Sequence, residues 1–124
     1  MNKQKYNIIL RLYLASKYSL NGLSHCIKTQ FSFLIELLVV IILTPITLYL
    51  SISNTNKLIL IFSSLLILIT ELINTAIEET VNYISQELNS QAKIIKDISS
   101  AAVFLSVILY IFLWIGTLID KQLG

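Results

Sequence analysis

Three long apolar segments restrict what this chain can fold into. They cover residues 31–50, 58–77 and 98–119. A helix of about 20 residues rises ~30 Å, which matches the hydrocarbon core of a bilayer. With 56% hydrophobic residues, 13% charged residues and a mean hydropathy of +0.79, the chain is too apolar for an ordinary soluble domain. We therefore predict an all-α membrane protein in which residues 1–124 form a single domain with three transmembrane helices.

Residues 6–27 precede the first apolar segment and mix apolar with basic side chains. Leu12, for example, stands next to Arg11, and such a mixture is typical of an amphipathic helix that lies in the membrane interface. Asn21 and Gly22 predict a break in this helix, followed by a second short helix that leads into the membrane. The alternative is a solvated basic leader that only sets the topology.

The distribution of Lys and Arg predicts how the chain is oriented in the membrane. Five of the nine precede the first apolar segment, one lies in the first loop (51–57), two lie in the second loop (82–97), and one lies at the C-terminus. Basic residues are enriched in cytoplasmic flanks. The N-terminus and the second loop are therefore predicted to face the cytoplasm, in a multi-pass protein of a bacterial inner membrane.

Two polar residues, Glu71 and Asn74, lie inside the second apolar segment, and Glu78 follows directly after it. Glu71, Asn74 and Glu78 follow one another at helical spacings of three and four, so their side chains share one face. An ionised carboxylate inside the bilayer costs at least ~2.5 kcal/mol on insertion scales, and such residues usually serve a function. This face predicts a site for a cation, a phosphate–metal complex or a proton.

Three explanations for this polar face remain open from spacing alone. The side chains could bond neighbouring helices and fix a non-catalytic oligomer, they could form a proton or ion pathway, or they could perform phosphoryl transfer with bound Mg²⁺. Three spans are expected to leave Glu71 and Asn74 partly uncovered, so neighbouring subunits should complete the site. No P-loop or soluble kinase signature is present, and no nucleic-acid partner is expected.

Three sequence motifs resemble the prokaryotic diacylglycerol kinase family. They are Glu-Leu-Ile-Asn-Thr-Ala-Ile-Glu at 71–78, Ala-Lys-Ile-Ile-Lys-Asp at 92–97 and Ser-Ser-Ala-Ala-Val at 99–103. Weaker similarity covers nearly the whole chain. The resemblance implies a homotrimer of three-span subunits, each with an N-terminal surface helix. It also implies transfer of phosphate from ATP, with Mg²⁺, to diacylglycerol, which yields phosphatidic acid for lipid recycling. Undecaprenol, which other members of the family phosphorylate, is the alternative lipid.

The resemblance also implies a role for individual positions of this chain. Glu71 matches the catalytic base for the lipid hydroxyl, Glu78 matches a metal ligand, and Asn74 belongs to the same polar cluster. The positions that match ATP contacts are Arg11, Tyr18, Glu78, Glu87, Lys96 and Asp97. The positions that match the lipid site are Arg11, Glu36, Glu71, Ser100 and Trp114.

Two positions depart from the family pattern. Gln30 stands where the family has its other metal-binding Glu, and Asn82 stands where an Asp is common. An amide keeps an oxygen ligand for Mg²⁺ but lacks the negative charge of a carboxylate. Weaker Mg²⁺ binding, or a greater dependence on the ATP phosphates, is therefore expected at Gln30.

Overall fold

The chain forms four helices joined by short connections. The computed structural model describes residues 8–85, 87 and 89–124, and within them every regular element is an α-helix: α1 (Ile8–Thr29), α2 (Phe31–Tyr49), α3 (Asn54–Ile84) and α4 (Ser90–Leu123). The last three are long and apolar enough to cross a membrane. The predicted fold class, three transmembrane helices preceded by an N-terminal helix, is confirmed. The start of the predicted surface helix, residues 6 and 7, lies outside the described residues.

The order of the helices brings polar residues from three of them to one end of the bundle. α2 begins directly after Gln30, α3 ends at Ile84 and α4 begins at Ser90. We call this end, which contains the start of α2, the end of α3 and the start of α4, the site end. α3 and α4 pack most extensively against each other, α2 packs against α3, and α1 contacts mainly α2.

The polar segment 82–97 is largely helical, so the connection between the second and third spans is shorter than the predicted second loop. α3 has 31 residues and α4 has 34, and their lengths of ~46 and ~51 Å exceed the ~30 Å hydrocarbon core. Asn82 belongs to α3, and Lys96 and Asp97 belong to α4. A helix satisfies the hydrogen-bonding groups of its own backbone in water as well as in lipid. The change from apolar to polar residues therefore does not mark the helix ends.

The predicted break at Asn21 and Gly22 is also wrong, because α1 runs through both residues. No residue of the described chain has a positive φ, so this glycine is not used for a turn. A glycine inside a helix costs only about 1 kcal/mol relative to alanine, and the flanking residues outweigh that cost. Most of α1 is exposed, with Cys26 as its one buried residue.

Small hydroxyl residues fill much of the contact between α3 and α4. Ser63, on α3, and Ser106, on α4, are 2% and 5% exposed, and each donates a hydrogen bond to a carbonyl of its own helix. Small side chains with satisfied hydroxyls let two helix backbones approach closely. Leu60 and Ile67, on α3, and Tyr110, on α4, form the apolar core.

Candidate functional site

A cavity of about 360 Å³ opens at the site end among α2, α3 and α4. Most of its lining is polar, which is unusual for a chain of this composition. The lining residues are Gln30, Ser32, Glu36, Glu71, Asn74, Glu78, Ser100, Val103 and Phe104. The structure thus brings together six of the residues predicted for the metal, catalytic, polar-cluster and lipid sites. They are Gln30, Glu36, Glu71, Asn74, Glu78 and Ser100.

Glu71 is the most deeply buried carboxylate of this cavity, with 5% of its surface exposed. The hydroxyl of Ser32, at the start of α2, donates a hydrogen bond to Glu71 Oε1. Asn74 is 8% exposed. The expectation that three spans would leave these two side chains uncovered is therefore wrong. The single chain buries them because α2 and α4 both pack against the face of α3 that carries them.

Asn74 connects two helices through both ends of its amide. Its Nδ2 donates to Glu78 Oε1 at 3.2 Å, and its Oδ1 accepts from Ser99 Oγ, on α4, at 2.7 Å. An amide can do this because it carries a donor and an acceptor, whereas a carboxylate could only accept. Asn74 therefore orients Glu78 and fixes it relative to α4.

Glu36 lies one helical turn beyond Ser32 on α2 and is the third carboxylate of the cavity, after Glu71 and Glu78. Its side chain is half-buried, and its Oε2 atom is buried without a hydrogen-bond partner among the described residues. A buried acceptor without a donor is costly. This oxygen is thus available to a donor from a ligand or from another chain.

A second, smaller cavity of about 150 Å³ lies between the end of α3 and the start of α4. It contains three of the predicted nucleotide positions, Glu87, Lys96 and Asp97. Lys96 Nζ donates to Asn82 Oδ1 at 2.5 Å, and Lys93 Nζ forms an ion pair with Asp97 Oδ2 at 2.6 Å. The cavity therefore presents two cationic and two anionic side chains close to the carboxylate-lined cavity.

Three predicted residues lie outside both cavities. Arg11 and Tyr18 are exposed on α1, the helix that precedes α2 in the chain. Trp114 packs edge-on against Tyr110, with ring centroids 6.3 Å apart, in the apolar core of α3 and α4. Its Nε1 atom is buried without a hydrogen-bond partner among the described residues. Among the described residues, these three side chains are not part of the lining of either cavity.

Four residues that were not predicted as site residues also contribute to the site end: Ser32, Ser99, His25 and Glu79. His25 Nε2 and Glu79 Oε1 are 2.8 Å apart and link α1 to α3. Burial, together with the nearby charges of Glu79 and Glu71, raises the pKa of the Cys26 thiol. Charge complementarity could have suggested the His25–Glu79 pair, but no periodicity relates residues 54 positions apart.

The described residues contain no cluster of three or more His, Cys, Asp or Glu side chains arranged to hold a metal. The donors in the larger cavity are carboxylate, amide and hydroxyl oxygens, which suit a hard cation such as Mg²⁺. Gln30 belongs to this set because it lines the cavity. Its side chain makes no capping hydrogen bond to α2. The donor chemistry fits Mg²⁺ if other oxygens, such as those of a bound phosphate, complete the coordination.

Three membrane-length helices with a polar cavity at one end define the chain as a helical membrane protein with a buried carboxylate site. Residues 17–118 match the family described as prokaryotic diacylglycerol kinase. The chain belongs to this family and is a membrane kinase.

Known relatives match over most of their length. A diacylglycerol kinase of Haemophilus influenzae is 33% identical over 110 residues, which cover 89% of this chain and 93% of the relative. Diacylglycerol kinases of Pseudomonas aeruginosa and Escherichia coli K12 are 34% and 31% identical over 104 residues, covering 84% of this chain and 85% of each relative. The resemblance found in the sequence motifs is confirmed.

Proposed function

We propose that this protein transfers the γ-phosphate of ATP to the hydroxyl of sn-1,2-diacylglycerol, and that the phosphatidic acid so formed is recycled in phospholipid metabolism. The observation that carries the proposal is the buried Glu71 beside the half-buried Glu78 in one cavity at the site end. The curated relatives named diacylglycerol kinase support this choice of lipid.

Glu71 is the proposed general base. A base must lie within hydrogen-bond reach of the proton that it removes, and Glu71 already accepts a hydrogen bond from an alcohol, the Ser32 hydroxyl. The lipid hydroxyl would give its proton to Glu71 as its oxygen forms a bond to the γ-phosphorus. The bond from that phosphorus to the β-phosphate oxygen would break, and ADP would leave.

Glu78 and Gln30 are the proposed ligands of Mg²⁺, with the ATP phosphates as its remaining partners. Both line the cavity of Glu71, and Glu78 is held by the Asn74 amide. Bound Mg²⁺ would neutralise charge on the phosphates during transfer. The protein's own part is to hold oxygen donors at fixed positions before the nucleotide arrives.

Nucleotide binding is proposed for the smaller cavity, with Lys96, Asp97 and Glu87, and for Arg11 and Tyr18 on α1. Lys96 offers positive charge to phosphate oxygens. In addition, α2 and α4 both begin at the site end, and the free amide groups at a helix N-terminus favour anions. These features support phosphate binding at the site end.

The lipid would enter beside α4. Ser100 and Glu36 line the larger cavity and could contact the glycerol head. Trp114 lies roughly 21 Å further along α4, at 1.5 Å per residue, so it could contact an acyl chain of the same lipid but not its reacting hydroxyl. The proposed assembly is a homotrimer in a bacterial inner membrane, with the site end in the cytoplasm, where ATP is present.

The test is phosphate transfer by the purified protein in mixed micelles with MgATP and a panel of lipid alcohols. We expect labelled phosphate to appear in diacylglycerol and little in undecaprenol. The reverse preference would replace the proposed substrate, and transfer to neither lipid would overturn the proposed function.

Glu71→Gln is expected to lower kcat by at least a hundredfold while leaving ATP binding largely intact. Gln keeps the size of the side chain but cannot accept a proton from the lipid hydroxyl. Asp120→Asn is the matched control, since it removes a carboxylate near the opposite end of the bundle that lies outside the cavity lining. A Glu71→Gln protein with near-normal kcat would exclude Glu71 as the base.

A further inference from the structure

The Ser32 hydroxyl donates a hydrogen bond to Glu71 Oε1 across the interface between α2 and α3. The family resemblance assigns no role to Ser32. The two residues are 39 positions apart in the sequence, so no local turn or cap explains the contact. Ser32 also lines the larger cavity together with Glu71.

We propose that Ser32 is a positioning residue that holds the Glu71 carboxylate ready for the lipid hydroxyl. This inference rests on the proposed function, because it assumes that Glu71 is the base. A carboxylate has two oxygens and about four acceptor sites. One hydrogen bond from Ser32 therefore fixes the orientation of the group and still leaves it able to accept the lipid proton.

The charges of the cavity show why such a donor is needed. Glu36, Glu71 and Glu78 line one cavity, and carboxylates that share a site repel each other wherever they are ionised together. Glu78 receives a hydrogen bond from the Asn74 amide, and Glu71 receives one from Ser32. Each of these two carboxylates is thus held by an uncharged donor. Neither donor adds a positive charge that would itself bind the ATP phosphates.

The local structure keeps the Ser32 hydroxyl in place. Ser32 is the second residue of α2, and Phe33, which follows it, is 2% exposed. A buried aromatic side chain at this point anchors the first turn of α2. The donor is therefore organised before substrate binds, which lowers the cost of ordering the site during the reaction.

Ser32→Ala removes the donor and changes little else, since Ser32 is exposed in the single chain. Without this donor the carboxylate can turn away from the lipid hydroxyl, and this loss of orientation should lower kcat by about tenfold. KM for MgATP should stay within about twofold, because Ser32 acts on Glu71 and not on the nucleotide. Ser32→Thr keeps a hydroxyl and should recover most of kcat.

Two controls separate positioning from a general effect on the fold. Thr44→Val removes a hydroxyl from the same helix, where it bonds only its own backbone at Val40 O, 2.7 Å away, and it should leave kcat unchanged. In a Glu71→Gln background, Ser32→Ala should cause no further loss of the residual rate, because the group that it orients is no longer a base.

The outcomes distinguish this inference from the proposed function. A wild-type protein without lipid kinase activity overturns both. An active wild-type protein with an unchanged Ser32→Ala variant overturns the role of Ser32 alone, and so does a Ser32→Thr variant as slow as Ser32→Ala. In the last experiment, the wild-type protein and Ser32→Ala are each incubated with labelled ATP in the absence of lipid. Phosphate on the wild-type protein that is absent from Ser32→Ala would make Ser32 an acceptor and not a positioning residue.

Discussion

Two carboxylates of the larger cavity accept hydrogen bonds from uncharged donors. Asn74 donates to Glu78, and Ser32 donates to Glu71. A lysine in either place would form a tighter pair, but it would also neutralise a group that is proposed to bind Mg²⁺ or a proton. Gln30 adds a further uncharged oxygen donor to the same cavity.

Gln30→Glu is expected to lower the Mg²⁺ concentration that gives half-maximal activity. An added carboxylate strengthens a hard-cation site, provided that the metal offsets its repulsion with Glu78. A tenfold change corresponds to ~1.4 kcal/mol, and we expect a shift of about this size together with a higher kcat/KM for ATP. ATP kinetics across a Mg²⁺ series measure both quantities.

Gln122→Glu, near the opposite end of the bundle, is the matched control and should leave the Mg²⁺ series unchanged. Superimposable curves for the wild-type and Gln30→Glu proteins would remove Gln30 from the metal site. They would also show that the family's metal position does not carry over to this chain.

Cys26 is expected to react slowly with iodoacetamide at neutral pH. The thiolate is the reactive form, and burial, Glu79 and Glu71 all raise the pKa of this thiol, so less thiolate is present than in a free cysteine at any given pH. The reaction should speed up as the pH rises. Glu79→Gln removes one negative neighbour and should increase the rate at pH 8, whereas Asp120→Asn should not. A rate equal to that of free cysteine would contradict the buried position.

At the scale of helices, capping side chains define the helix starts on both sides of the membrane. Ser53 Oγ accepts from Asn56 N at 3.1 Å at the start of α3. At the start of α4, Asn89 Oδ1 accepts from Ala92 N at 2.7 Å. The cap at Asn89 lets α4 begin well before its apolar residues. It thereby places Lys96 and Asp97 on a rigid helix next to the larger cavity.

Asn89→Ala is expected to lower the free energy of unfolding by about 1 kcal/mol, the usual cost of losing an N-cap. Asn89→Asp keeps an acceptor at the positive end of the helix and should preserve stability. Gln91→Ala, at an exposed helical position, should change the free energy by no more than about 0.5 kcal/mol. Unfolding in mixed micelles measures all three, and equal stability of Asn89→Ala and wild type would argue against the cap.

For the whole molecule, the exposed apolar surface determines its environment. Phe62, Phe104 and Phe112 are 71%, 64% and 67% exposed in the single chain. Such surface is covered by lipid or by other copies of the chain. Part of the polar site end also lacks a partner, since Glu36 Oε2 is buried without a donor among the described residues. These features support the proposed homotrimer.

The protein purified in a mild detergent is therefore expected to have the protein mass of three chains. Each chain has a mass of 14.1 kDa, so light scattering corrected for bound detergent separates a trimer from a monomer or dimer. The mass should not change when the ratio of detergent to protein is raised severalfold. A monomer that is fully active would exclude a site shared between subunits.

The apolar segments and the helical spacing of Glu71, Asn74 and Glu78 were enough to predict three spans and one polar face. Both features follow from local rules: a span must satisfy its own backbone in lipid, and residues three and four apart share a helix face. The family motifs were likewise contiguous and could be read directly. Helix ends were less accurate, because a polar residue is compatible with either a loop or a helix that projects into water.

Only the tertiary structure decided which side chains hold the site together. The contacts of Ser32 with Glu71 and of Ser99 with Asn74 join residues from different helices, and their sequence separations of 39 and 25 carry no periodic signal. The same is true of the burial of Glu71, which depends on how closely α2 and α4 pack against α3. Sequence determines the face that a helix presents, whereas the neighbour that meets this face depends on the packing of the whole bundle.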